Sequence, residues 1–197
     1  MISLKHKFIF IHCQKTGGRS IETCLEKYTE YNFKRYNAVQ VDTSPVMFKG
    51  LGSHIPLSRY YRRWKSEYGV IDDFFKFGCI RNPWERAISF WFWWQKHQAK
   101  NVAFSKRNFI TKMSRRKVLD CAHFLDINKI DFVIKFERMQ KDFDIVCDNI
   151  GIPQVQLPHE NSTLHKHYTE YYDDEMRDYI GNLWSRDVEY GNYEFGK

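Results

Sequence analysis

Three short stretches of this chain carry residue types that hold anions or take up protons. In Gln14-Lys15-Thr16-Gly17-Gly18-Arg19-Ser20 a lysine precedes two glycines, with an arginine and two hydroxyls beside them. Glycines let backbone N–H groups close around an anion, and the start of a following helix adds positive potential. That is chemistry for cradling a phosphate. The lysine stands before the glycines, unlike GxxxxGK[ST], and no GK[ST] occurs anywhere in the chain. In the second stretch, Arg81-Asn82-Pro83 is followed by Arg86 and Ser89. A guanidinium fork and a hydroxyl bind phosphate oxygens well. The third stretch, Gly52-Ser53-His54, offers a histidine, whose reference pKa near 6.5 makes it available as a base at neutral pH.

These groups need elements to position them. Phe8, Ile9, Phe10 and Ile11 form a continuous apolar run, the pattern of a strand covered on both faces of a parallel sheet. Ile21, Cys24, Leu25 and Tyr28 then recur at helical spacing, so the lysine–glycine loop joins a strand to a helix. Residues 76–80 read as a core strand in which Gly78 permits close backbone approach. Asn82 suits an N-cap, Pro83 the first helical position, and Glu85 can complete a capping box. The helix that follows buries Ala87, Ile88 and Trp91, with Arg86 and Ser89 together on another face. Arg81 falls at the carboxyl end of its strand, where ligands of open α/β sheets bind.

Residues 36–42 alternate as a short strand does, and 49–54 read as another, ending at His54. Residues 57–68 form a basic helix, and 132–136 a further apolar strand. Met139, Phe143, Val146, Cys147 and Ile150 define a helix stopped by Gly151 and Pro153. Residues 157–168 are a polar loop, and Tyr172, Met176, Tyr179, Ile180 and Leu183 mark a last amphipathic helix with an acidic start. Strands alternating with helices specify one α/β domain over 1–197, a central parallel sheet flanked by helices.

Composition bounds the function. At 197 residues, 43% hydrophobic and 17% aromatic, the chain can bury a real core and is not disordered. No stretch approaches the ~18 to 20 apolar residues of a membrane span. A first strand almost at Met1 leaves no room for a secretory signal, which makes the expected compartment cytoplasmic; the Golgi lumen would require a longer parent chain. Five cysteines without a CxxC pair fit reduced, packed thiols. A net charge of +7 suits an anionic ligand. Cations crowd residues 100–118, among them Lys106, Arg107, Lys112, Arg115, Arg116 and Lys117; a solvated face explains them better than an acidic acceptor does.

The lysine–glycine loop resembles the 5′-phosphosulfate loop of sulfotransferases, and Arg81-Asn82-Pro83 with Arg86 and Ser89 matches their RNPxxRxxS 3′-phosphate motif. The order Phe136-Glu137-Arg138, helix, 157–163, C-terminal helix is similar to the carbohydrate (heparan and chondroitin type) sulfotransferases, with residues 95–130 the weakest part. The resemblance implies a P-loop NTPase-like sulfotransferase fold and 3′-phosphoadenosine 5′-phosphosulfate (PAPS) as donor. It implies that Lys15, Thr16, Gly17, Gly18, Arg19 and Ser20 hold the 5′-phosphate. Arg81 and Ser89 would hold the 3′-phosphate, and a C-terminal loop with Ser162, Thr163 and Lys166 would cover the nucleotide. In that group a histidine in a Gly-x-His segment serves as base, here His54.

Sulfuryl transfer needs a base for the acceptor hydroxyl, a cation for the leaving phosphate oxygen and in-line positioning. Lys15 fits the cation and His54 the base, with His12 and Glu137 as further candidates. Arg59, Arg62 and Arg63 follow His54 on the basic helix and suit an anionic acceptor, expected to be a saccharide. His165 and His167 have no third ligand at useful spacing, so no metal is expected. Two other functions compete. An ATP-using kinase-like enzyme would need a lysine after the glycines and a carboxylate for magnesium. A nucleic-acid-binding module would need clustered cations, whereas here they are interspersed with acids.

Overall fold

The computed structural model describes residues 1–29, 54–67, 71–98, 102–114, 119–158 and 166–197. The strand expected at 36–42, and all but the last residue of the one expected at 49–54, lie outside the described residues, as do Ser162 and Thr163 of the covering loop.

Among the described residues, four strands form one sheet in the order β1 (Ile2–Ser3), β2 (Phe8–Ile11), β3 (Phe75–Ile80), β4 (Phe132–Lys135). β2, β3 and β4 run parallel, with Ile11 opposite Gly78 and Gly78 opposite Val133. This is the expected parallel centre. β1 adds an antiparallel edge through the pair Ile2 and Ile9, which makes the whole sheet mixed.

The apolar run of β2 is wholly buried because helices cover both sheet faces. Ile9 and Ile11 point into a core with Leu57 and Tyr60 of α2 (Leu57–Glu67) and Leu125 of α5 (Cys121–Leu125). Phe8 and Phe10 point the other way, onto Ile21 and Leu25 of α1 (Gly18–Leu25) and Phe143, Val146 and Ile150 of α6 (Met139–Ile150). Burying each of these side chains contributes roughly 1.5–3 kcal/mol, so this strand is the anchor of the molecule. Gly78 is required: a Cβ there would lie 2.8 Å from the Ile11 carbonyl oxygen and against Leu125.

A third core lies beside the sheet. Ala87, Ile88 and Trp91 of α3 (Pro83–Gln98), Phe109 and Met113 of α4 (Lys106–Met113), and Met176 and Ile180 of α7 (Asp174–Leu183) build it. Trp184 closes this core just before α8 (Ser185–Gly191). Lys106 belongs to this packing: its ammonium pairs with Asp173 at 3.1 Å and with Glu175, so it fastens α4 to the start of α7. No helix among the described residues is long and apolar enough to cross a membrane.

Candidate active site

The three parallel strands end at one edge, and each hands over a functional segment there. β2 leads into His12, Cys13 and the lysine–glycine loop. The loop is held from within: Thr16, fully buried, donates its hydroxyl to the Cys13 carbonyl oxygen at 2.9 Å. Its side chain therefore closes the turn, leaving only its main chain for a ligand. Lys15 has φ 65° and Gly17 φ 74°, both left-handed. For lysine that conformation costs on the order of 1–2 kcal/mol, the kind of strain concentrated at ligand-binding loops. Gly17 is the N-cap of α1, and no side chain caps it. The first N–H groups of that helix are thus directed at whatever the loop holds. Ser20 is buried in its first turn, and Arg19 is exposed.

β3 delivers Arg81. Its guanidinium lies 3.9 Å over the Phe136 ring, donates to the Lys15 carbonyl oxygen at 3.3 Å and pairs with Glu85 at 2.6 Å. Its Nε is buried and has no hydrogen-bond partner among the described residues. β4 delivers Phe136 itself, whose ring also sits against Gly17; a Cβ there would come 2.9 Å from its Cε2. One aromatic ring thus seats both the loop and the arginine. Burial, then the nearby Arg81 charge, lower the Lys15 ammonium to about 8. Two crowded cations, and a guanidinium N–H with no acceptor among the described residues, are chemistry that suits an anion.

Asn82 caps α3 as expected, its Oδ1 accepting from the N–H groups of Trp84 (3.1 Å) and Glu85 (3.3 Å). The reciprocal arm of the capping box differs. Glu85 is drawn to Arg81, and Glu137 accepts from the Asn82 N–H at 2.7 Å in its place. The other Glu137 oxygen accepts from the Tyr193 hydroxyl at 3.0 Å, so this carboxylate is committed to structure and is a poor base candidate. Arg86 is buried, with Nε donating to the Gln14 carbonyl oxygen (3.0 Å) and NH2 to that of Leu119 (2.7 Å). Its NH1 meets the fully buried Asp187 at 3.3 Å. Ser89 is buried within α3.

His54 stands in irregular backbone ahead of α2 and is brought to the loop by His12. Its Nδ1 lies 3.0 Å from the His12 carbonyl oxygen, which can only accept, so Nδ1 carries the proton and Nε2 keeps its lone pair. The two imidazoles meet edge to face with centroids 4.6 Å apart. Burial, then His12, lower His54 to about 4, so it is neutral at pH 7. Glu22, which the apolar spacing of α1 did not single out, is buried behind this pair and accepts from His12 Nδ1 at 2.9 Å.

Lys166 is exposed and pairs with Glu170 at 3.3 Å. Arg59 and Arg62 are exposed on α2, and the Arg63 side chain lies outside the described part. Trp93 of α3 does reach the loop, its ring centroid 6.0 Å from Lys15 Nζ. Among the described residues no group of three or more His, Cys, Asp or Glu side chains is placed to hold a metal ion.

The sequence profile of the Sulfotransferase family matches residues 1–123, more than half of the 197-residue chain, and the chain belongs to that family. Sulfuryl transfer is accordingly its general class of chemistry. The matched part holds the loop, His54 and the segment from Arg81 to Ser89. Among solved structures, a sulfotransferase from Alicyclobacillus acidocaldarius is similar at 15% identity with a TM-score of 0.42, over 93% of this chain and 92% of that one. No curated protein matches the chain.

Proposed function

We propose that this protein transfers the sulfuryl group of PAPS to a hydroxyl of a carbohydrate. The observation that carries the reading is the meeting of Arg81 and Gly17, the uncapped start of α1, on the Phe136 ring, with Lys15 in the same loop and a neutral histidine beside it. The residues present fit the donor, whose bound form supplies a sulfuryl group on a phosphate leaving group. Loop amides and Ser20 hold the 5′-phosphate. Arg81 and Ser89 hold the 3′-phosphate, which gives the Arg81 Nε the acceptor it lacks among the described residues. Lys15, charged below about pH 8, offsets the negative charge that grows on the leaving phosphate oxygen. His54 Nε2 receives the acceptor's hydroxyl proton. Arg59 and Arg62, exposed on the helix that follows His54, favour an anionic saccharide.

Release of 3′-phosphoadenosine 5′-phosphate from PAPS, measured against a panel of neutral and acidic saccharides, tests this. Saccharide-dependent release is expected, lost in Lys15→Ala and in His54→Ala, with nucleotide binding kept in the latter. Turnover that survives His54→Ala would remove it as the base, and transfer to phenols but to no saccharide would refute the acceptor class.

A further inference from the structure

Behind His54 lies a charged group that the reaction as described does not use. Glu22 is 4% exposed, on the face of α1 turned toward the sheet. A buried carboxylate without partners is strongly disfavoured. Burial does push this carboxyl up, but the hydrogen bond from His12 works against it, and the net direction is downward, which holds Glu22 ionised. An ionised carboxylate accepts only, so the 2.9 Å contact places a proton on His12 Nδ1.

His12 has no freedom to turn. Its other ring edge is packed on the first residue of α1, where a Cβ at Gly18 would lie 2.7 Å from Nε2. Its ring also stacks on Phe10, at 5.9 Å between centroids. From this fixed position His12 holds His54 in two ways, by its carbonyl oxygen on Nδ1 and by its ring against the imidazole. The chain of contacts runs from the Glu22 carboxylate through His12 to His54, with the far nitrogen of His54 left basic.

We propose that Glu22 is a positioning residue of the reaction: its buried carboxylate fixes the tautomer and orientation of His12, which in turn fixes His54 and leaves its Nε2 as the proton acceptor. The same negative charge, one ring removed, stabilises the imidazolium that forms when His54 takes the acceptor's proton. Among the described residues, the other charged or titratable groups facing this cluster are the Met1 amino group, bonded to Tyr60 at 3.4 Å, the Tyr60 hydroxyl on α2, and Arg86 on α3. Arg86 opposes protonation of His54, which leaves Glu22 as the one carboxylate among these groups. The inference rests on the reading of His54 as base.

Two measurements test it. In the wild-type protein, ¹⁵N-detected imidazole spectra at neutral pH should show both His12 and His54 as Nδ1–H tautomers; Nε2–H in either one overturns the proposal, whatever the enzyme turns over. In Glu22→Gln, kcat should fall about tenfold, the effect of one pKa unit on the base, while donor KM and the affinity for 3′-phosphoadenosine 5′-phosphate stay within twofold. Glu22→Asp, which keeps the charge, should recover most of the loss. An unchanged kcat in Glu22→Gln overturns the idea, as does a parallel loss of nucleotide affinity, which would mark Glu22 as a mere support of the loop. If Glu22→Gln does not fold, Glu22→Asp decides: kcat above one third of wild type with His12 still Nδ1–H supports the proposal, and a displaced tautomer with full kcat refutes it. A wild-type protein inactive with every acceptor would defeat the proposed function, yet the tautomers would still decide whether Glu22 orders the two histidines.

Discussion

Removal of Asp187, far along the chain from the phosphate loop, should both destabilise the fold and loosen the loop. Asp187 is fully buried and accepts three hydrogen bonds, from Arg86 NH1 (3.3 Å) and the N–H groups of Cys121 (2.9 Å) and Ala122 (2.7 Å). Arg86, 2% exposed, lies 4.5 Å over the Trp184 ring and also carries the Gln14 carbonyl at the head of the loop. Asp187→Ala leaves a guanidinium buried without its counter-charge, a loss of about 3–5 kcal/mol. Two helix-start N–H groups are orphaned as well, at about 1–3 kcal/mol each where water does not reach them. Water entering the vacated site can satisfy both N–H groups and offset the second contribution, which leaves a net loss of about 4 kcal/mol from the first. At about 2–4 °C per kcal/mol for a domain of this size, the melting temperature should drop by roughly 10 °C. Urea unfolding followed by tryptophan fluorescence reads this as a lower midpoint at unchanged slope. The same variant, assayed by calorimetry below its midpoint, should bind 3′-phosphoadenosine 5′-phosphate several-fold more weakly, because a guanidinium seeking solvent releases Gln14. Asp187→Asn, which keeps the shape, should fall between. A loss below about 1 kcal/mol would show that water already neutralises Arg86, and the reasoning would fail.

Three further outcomes follow from the site. With His54 lowered to about 4 and Lys15 to about 8, the proposed base is neutral and the proposed cation charged between those values. The pH profile of kcat/KM should therefore be flat from about pH 5 to 7 and decline above about 8; a limb near 6.5 would contradict the buried His54. The same Lys15 shift affects stability: between about 8 and 10.5 the unfolded chain keeps a proton that the folded one has released, so this group favours folding more as pH rises there. Gly18→Ala has no backbone strain to pay, yet its methyl meets the His12 ring, so a loss of about 1–3 kcal/mol is expected with a larger fall in kcat than in nucleotide affinity; wild-type stability and rate would disprove the contact.

Most of what could be read from the sequence was local. The apolar run of β2, the glycine turn and the Asn82–Pro83 helix start each declare themselves within a few residues, and the structure forms all three. Distance in the chain hid the rest. Glu85 and Glu137 both suit the start of α3 chemically; only the tertiary approach of β4 decides that Glu137 takes the cap and Glu85 the arginine. Arg86 fits a phosphate motif by position, but its partner Asp187 comes from a helix 101 residues later. β1 is two residues long, too short for any periodic signal. Glu22 could have been suspected from one feature, a carboxylate set next to Ile21 on the buried stripe of α1. Lys106 looked like part of a cationic surface because its acidic partners, Asp173 and Glu175, belong to another helix start.

The most direct test of the central claim is calorimetric binding of 3′-phosphoadenosine 5′-phosphate against AMP and ATP, in wild type and Arg81→Ala, with and without magnesium. The account predicts tight binding that does not depend on magnesium and is weakened at least tenfold by loss of either the 3′-phosphate or the Arg81 guanidinium. In Arg81→Ala, 3′-phosphoadenosine 5′-phosphate and AMP should bind alike. A preference for ATP that requires magnesium, or an Arg81→Ala protein that still distinguishes the 3′-phosphate, would contradict it.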